Sequence, residues 1–212
     1  MEDVVIIGGG GYAKVVISIL KKLRKYNIVG YTDEKDNGEL LGAKYLGNDD
    51  ILKKVYRAMN VKHAVLGIGQ LQDATLKKKV VLNAEKIGFN FPIIVSPTAI
   101  VDENVSIGEG TIIRDNALIS ISSKIGCFSI IGTSVNINHD TIIGNYVNIS
   151  LGSNVGMNVN IGNDILIGMG STIMNYKIIT DKCLIGAGSV VIKDCITSGI
   201  YFGNPAEKKK EI

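Results

Sequence analysis

Tryptophan is absent from this chain of 212 residues, and aromatic residues make up only 6% of it. With 46% of residues apolar, a core must therefore be aliphatic. Charge of one sign is scarce too. The net charge is +3, and no basic cluster stands out beyond Lys208, Lys209 and Lys210, so nucleic acid is not an expected partner. The three cysteines, Cys127, Cys183 and Cys195, are odd in number and far apart, with no CxxC pair. That pattern excludes a disulfide framework or a zinc cluster, and it suits reduced thiols in the cytoplasm. The start, Val4 to Ile7, lacks both a charged leader and a long apolar run. Neither a signal peptide nor a membrane span is expected. Proline occurs three times, at 92, 97 and 205.

What is present is a period. From Val101 to Val191 every sixth residue is isoleucine or valine, sixteen positions without interruption. A helix has a period of 3.6 residues and a strand a period of two, so neither explains six. A coil of three short strands does, because each flat side uses six residues and stacks on the coil below. Two residues before each aliphatic stand mostly small or β-branched side chains, among them Thr111, Ala117, Ser123, Ser129, Thr141 and Ser153. Alternation turns these inward as well. Three residues after the aliphatic, Asn104, Gly110, Asn116, Asp140, Gly152, Asn158, Asp164, Gly170 and Gly188 suit corners that need positive φ. No proline interrupts the ladder. Each buried Ile or Val contributes about 2 kcal/mol before entropy is charged.

Residues 1–95 follow another grammar. Val4–Ile7 reads as a buried strand, and Gly8 to Gly11 turns into a helix over Ala13–Arg24. Strands are expected at 27–32 and 63–68, helices at 49–59 and 74–87, and a closing segment at 91–95. Such alternation predicts a small parallel sheet flanked by helices. The pattern Gly8-x-Gly10-x-x-Ala13, with Asp33 at the end of the next strand, matches a dinucleotide fingerprint. Its glycines permit a tight turn and bring phosphate to helix-terminal amides. The bland reading is that any strand-to-helix turn wants glycine. About ninety residues hold only half of a doubly wound sheet, so a mononucleotide-sized ligand fits better than a full NAD. The expected division is therefore an α/β Rossmann-like domain at 1–95 and an all-β left-handed parallel β-helix of hexapeptide repeats, with its tail, at 96–212.

Of two histidines, His63 opens a strand and reads as structural or solvated. His139 falls two residues after Ile137, in a column otherwise mostly polar, and so should face outward near a corner. An exposed histidine is usually inert. An imidazole followed by a carboxylate, Asp140, is also a fit general base with a neighbour to orient it.

A hexapeptide ladder behind a short glycine-rich α/β unit resembles the sugar acetyltransferases of the left-handed β-helix class. The similarity is greatest to bacterial nucleotide-amino-sugar N-acetyltransferases (bacillosamine and perosamine types) and to sialic acid O-acetyltransferase-like proteins. It covers nearly the whole chain. It rests on Ile6-Ile7-Gly8-x-Gly10-Gly11-x-Ala13-Lys14, on Val95-Ser96-Pro97-Thr98-Ala99, on His139-Asp140-x-x-Ile143-Gly144, and on Gly199-x-x-x-Gly203-Asn204-Pro205-Ala206. The resemblance implies His139 as general base and Asp140 as its supporting acid. It implies nucleotide-sugar contacts at Gly10, Gly11, Tyr12, Asp33 and Gly69. It also implies acetyl-CoA contacts at Asn148, Met169 and Ala187, no metal, and a homotrimer with acetyl-CoA between neighbouring β-helices. Tyr12 stands where many relatives have histidine, and Met157 where glycine is common.

The function so implied is acetyl-CoA-dependent N-acetylation of a nucleotide-linked amino sugar in glycan biosynthesis, by direct transfer. The tetrahedral oxyanion is expected to meet an amide of the Gly156–Met157 region. The alternatives are O-acetylation of a sialic acid-like sugar, a non-enzymatic trimeric module, and a nicotinamide oxidoreductase. A β-helix carbonic anhydrase would need three histidines on the ladder, which has one. The lysine tail reads as a solvated end, with a 3′-phosphate of CoA as the alternative ligand.

Overall fold

The computed structural model describes residues 1–69 and 74–211. Their contacts divide at Pro97–Thr98 into two units.

In the first unit, β1 (Glu2–Ile7) leads through a glycine turn into α1 (Gly11–Leu23). Then come β2 (Tyr26–Thr32), β3 (Tyr45–Gly47), α2 (Leu52–Ala58), β4 (His63–Leu66) and α3 (Thr75–Ile87). The four strands form a parallel sheet in the order β3-β2-β1-β4. Val4 to Ile7 lie at its centre, at most 1% exposed. A strand hydrogen-bonded on both edges and covered on both faces needs this continuous apolar run. The apolar stripe of α1, including Val16, Ile17 and Leu20, is fully buried. Lys21 and Lys22 stand in its last turn, where cations complement the helix dipole. β3 was not legible as a strand: its three residues end in glycine and carry no alternation.

The second unit is the β-helix. Two-residue strands pair in parallel with partners eighteen residues away, as Ile125 with Ile143 and Ile143 with Ile161. One coil is therefore three hexapeptides, and each side of the prism is a separate parallel sheet. Of the sixteen aliphatics, all from Ile113 to Val191 are buried, at most 3% exposed. Val101 and Ile107 are half-buried, because their strands are the last in their sheets. Inside the prism, buried hydroxyls close a second ladder. Ser129 Oγ donates to Gly144 O at 3.0 Å and accepts from Val147 N at 3.0 Å. Thr111 and Thr141 donate to Gly126 O and Gly156 O in the same way. A buried hydroxyl is tolerated only when so partnered.

Every position three residues past an aliphatic, from Asn104 to Gly188, has positive φ. The column includes Asp140 (φ 57) and also Ser122, Phe128, Ser134, Tyr146, Tyr176 and Lys182, whose residue types do not announce it. The coil imposes the corner, and residue type follows only where it can. At one such corner Phe128 stacks on Tyr146, with centroids 5.3 Å apart.

The tail is not a loose end. Ala206–Lys210 forms an antiparallel strand on Gly199–Gly203. Lys208 binds Thr197 and Glu211, and Lys209 binds Glu207. No helix among the described residues is long and apolar enough to cross a membrane.

Candidate active site

Chemistry-bearing residues gather in two places, one in each unit. In the first, Gly8 has φ 100 and directly follows β1. A Cβ on Gly67 would lie 2.3 Å from Gly8 O, so only glycine lets these two turns approach. Gly9 N donates to Asp33 Oδ2 at 2.6 Å, and Lys35 N to Asp33 Oδ1 at 3.2 Å. Asp33 is thereby tied to the glycine turn. Gly69 packs against Tyr12, since a Cβ there would sit 3.7 Å from the Tyr12 Cβ. Gly10 is the N-cap of α1, with no side-chain cap and no acid in the first turn. Cβ positions built on Gly10 and Gly11 meet nothing within 4 Å, so this end of the helix is open. Gly10, Gly11, Tyr12, Asp33 and Gly69 therefore share one neighbourhood, where helix-terminal amides favour an anion.

In the second unit, His139 sits at the corner between the side carrying Asn136–Ile137 and the side carrying Ile142–Ile143. Its Nδ1 lies 2.7 Å from Asp140 Oδ2, with the two side chains 40% and 52% exposed. An ion pair this exposed adds at most about 1 kcal/mol to stability, so its consequence is orientation. A carboxylate only accepts, so Nδ1 carries the proton and Nε2 holds the lone pair of the neutral ring. Asp140 also turns the corner, and its N–H donates to Ile121 O at 3.2 Å. One residue thus bends the chain and aims the imidazole.

A cleft of about 480 Å³ runs along the prism side that ends at this corner. Among its lining residues are Asn136, Asn138, Asn154, Gly156, Met174 and Asn175. Asn138 Oδ1 accepts the His139 N–H at 2.8 Å, and Asn136 Nδ2 donates to Asn154 Oδ1 at 2.9 Å. The expectation that an amide of Gly156 or Met157 is available to an oxyanion needs correction. Gly156 N donates to Ile173 O at 2.9 Å, and Met157 N to Asn175 Oδ1 at 3.1 Å. Ladder geometry consumes the first amide, and a side chain one coil below covers the second.

Asn148 lies on a different side of the prism, paired with Ile130 and Leu166. Met169 and Ala187 stack at the corner that follows that side; Gly188 N donates to Met169 O at 2.9 Å. A single chain brings Met169 and Ala187 to each other, one prism side away from the corner of His139. Asn138 and Asn175 were missed by reading hexapeptides alone. Reading the sequence at eighteen, the length of a full coil, sets His139, Met157 and Asn175 in one column. His63 pairs loosely with Glu2 at 3.8 Å and lies on β4 of the first unit. No cluster of metal ligands occurs among the described residues.

Comparison with known proteins adds what geometry alone lacks. The family model described as the PglD N-terminal domain matches residues 3–82. The structure of PerB from Caulobacter crescentus, in complex with CoA and GDP-perosamine, is 30% identical, with 99% of this chain and 98% of that chain covered at a TM-score of 0.91. This chain belongs to that family of hexapeptide-repeat sugar N-acetyltransferases. A histidine-to-asparagine variant of the perosamine N-acetyltransferase from the same organism, with the same ligands, is 29% identical over 100% of this chain and 98% of that one (TM-score 0.93). The acetyltransferase domain of PglB from Neisseria gonorrhoeae, in complex with acetyl coenzyme A, is 25% identical over 98% and 99% of the two chains (TM-score 0.91). No curated protein matches the sequence significantly. Family membership makes the chain an acetyltransferase, and the cleft beside His139 is its candidate active site.

Proposed function

We propose that this acetyltransferase carries the acetyl group of acetyl-CoA to the amine of a nucleotide-linked amino sugar, with His139 as general base. The observation that carries the reading is the exposed pair of His139 Nδ1 and Asp140 Oδ2 at 2.7 Å, beside a polar cleft. With Nδ1 bound, Nε2 accepts the proton as the amine attacks the thioester carbon, and Asp140 stabilises the imidazolium that forms. The proton then passes to the departing thiolate. The open glycine turn holds the pyrophosphate through the amides of Gly10, Gly11 and Tyr12, while Asp33 and Gly69 border the nucleoside. Relatives with CoA, acetyl-CoA and GDP-perosamine bound support both ligand classes. Their enzymatic nature speaks against a non-catalytic module.

Acetyl-CoA contacts at Asn148, Met169 and Ala187 belong to the same reading. Since Met169 and Ala187 stand one side away from His139, acetyl-CoA reaches both sets when the second comes from a neighbouring copy. Exposed apolar side chains mark both corners: Leu151 and Met169 at one, Ile121 and Tyr176 at the other, 46% to 62% exposed. Two different apolar ridges on one prism suit a heterologous contact closing into a trimer. The free thiols suit the cytoplasm.

The test is mass spectrometry of products from a panel of nucleotide amino sugars, free amino sugars and free sialic acids incubated with acetyl-CoA. A gain of one acetyl group on a nucleotide amino sugar alone is expected. Acetylation of sialic acid alone would replace the reading with O-transfer.

A further inference from the structure

We propose that the oxyanion of the transfer is held by two side-chain amides, Asn138 Nδ2 and Asn175 Nδ2, in place of main-chain N–H groups. This rests on acetyl transfer occurring at His139. The main-chain groups nearest the base are committed, Gly156 N to Ile173 O and Met157 N to Asn175 Oδ1. His139 N is committed to Asn138 Oδ1 at 2.8 Å. A backbone N–H only donates, so each asparagine turns its oxygen to the backbone and its NH2 away from it. Both residues line the cleft and both are exposed. Neither NH2 makes a hydrogen bond among the described residues. They are donors fixed in direction.

The spacing suits one shared oxygen. Coils stack about 4.8 Å apart. Asn138 lies on the coil of His139. Asn175 lies two coils further and reaches back one coil to Met157. Its NH2 thus stands about one coil spacing from that of Asn138, and one oxygen between them meets both at about 2.9 Å. The residue that breaks the pattern is Met157. On another corner, Cys127, Asn145 and Asn163 each give their N–H to the side-chain oxygen eighteen residues on, at 2.7 to 2.9 Å. Methionine at 157 offers His139 no such acceptor. Asn138 takes that role, and its NH2 is thereby presented beside the base.

In the step itself, the amine lone pair forms the new N–C bond while the carbonyl π pair moves onto oxygen, between the two NH2 groups. His139 Nε2 receives the amine proton. Collapse re-forms C=O and breaks C–S, and the thiolate leaves with the proton from His139. Acetamido sugar and CoA thiol are the products, with no other reactant. Donors aimed at a developing oxyanion act on the transition state, so their loss falls on kcat rather than KM.

Asn138→Asp and Asn175→Asp keep an oxygen for the backbone N–H and remove the NH2; Asn175→Ala removes the donor without adding charge. Each is expected to lower kcat about 100-fold with the KM for acetyl-CoA nearly unchanged. The melting temperature should hold in the two aspartates, which keep the acceptor, and fall by about 2–4 °C in Asn175→Ala, which strips the cap from Met157 N. Isotope-edited infrared spectra of bound acetyl-CoA give a readout apart from turnover. The thioester carbonyl stretch should fall on binding to wild type and move back toward the free value in each variant. Wild-type turnover and stretch in the variants overturn the proposal, as does loss in only one of the two positions. A wild-type enzyme that acetylates no amino sugar would instead remove the reading on which the proposal rests.

Discussion

Two corners of the same prism differ in what holds them. At the corner of Cys127, Asn145, Asn163 and Asp181, the first three backbone N–H groups are each capped by the side chain one coil further, and the column is continuous. At the corner of His139, Met157 and Asn175, the same column is interrupted. His139 is capped by its own neighbour, Asn138, and its ring pairs with Asp140. The backbone geometry is the same, with Asp140 at φ 57 and Tyr146 at φ 55. The first corner spends its polar side chains on structure. The second leaves them facing a cleft. Departure from a local rule without loss of fold is what the proposal of chemistry at His139 calls for.

The largest expected effect is kinetic and confined to the second corner. His139→Asn should lower kcat by about 100-fold or more, while thermal unfolding leaves the melting temperature within a degree or two. A fall in stability comparable to a core substitution would make the residue structural. The converse test is Asn163→Ala. It strips the cap from Asn145 N and should cost about 1 kcal/mol, read as a fall of about 2–4 °C in melting temperature with kcat unaltered. Loss of turnover there would erase the difference between corners. A last effect falls on stability alone and concerns the backbone. At Gly152, φ is 69 and a Cβ meets nothing within 4 Å. Gly152→Val should cost about 1–2 kcal/mol of strain, measured by denaturant unfolding, with no effect on turnover. A neutral outcome would mean that the corner relaxes.

Legibility in the sequence followed the same divide. The core column from Ile113 to Val191, the inward Ser and Thr, and the parallel strand at Val4–Ile7 were readable because burial demands one residue class at a fixed spacing. Corners were readable only at Gly, Asn and Asp. Phe128, Tyr146 and Lys182 adopt positive φ because stacked neighbours compel it, which no residue type signals. The outward position of His139 and its proximity to Asp140 followed from the repeat. The direction of its ring did not, nor did the use of the Gly156 and Met157 amides, because both depend on contacts one coil away. β3 was invisible because a three-residue edge strand has too little pattern to register.

The central claim is that acetyl transfer happens at the corner of His139. The most direct test is a crystal structure with CoA and a nucleotide amino sugar, from which the distance between His139 Nε2 and the sugar amine is read. The account expects hydrogen-bond reach, about 2.6–3.2 Å directly or through one water, with the CoA sulfur beside the same corner. An amine bound far from this imidazole, facing the Cys127 corner or another side of the prism, would contradict it.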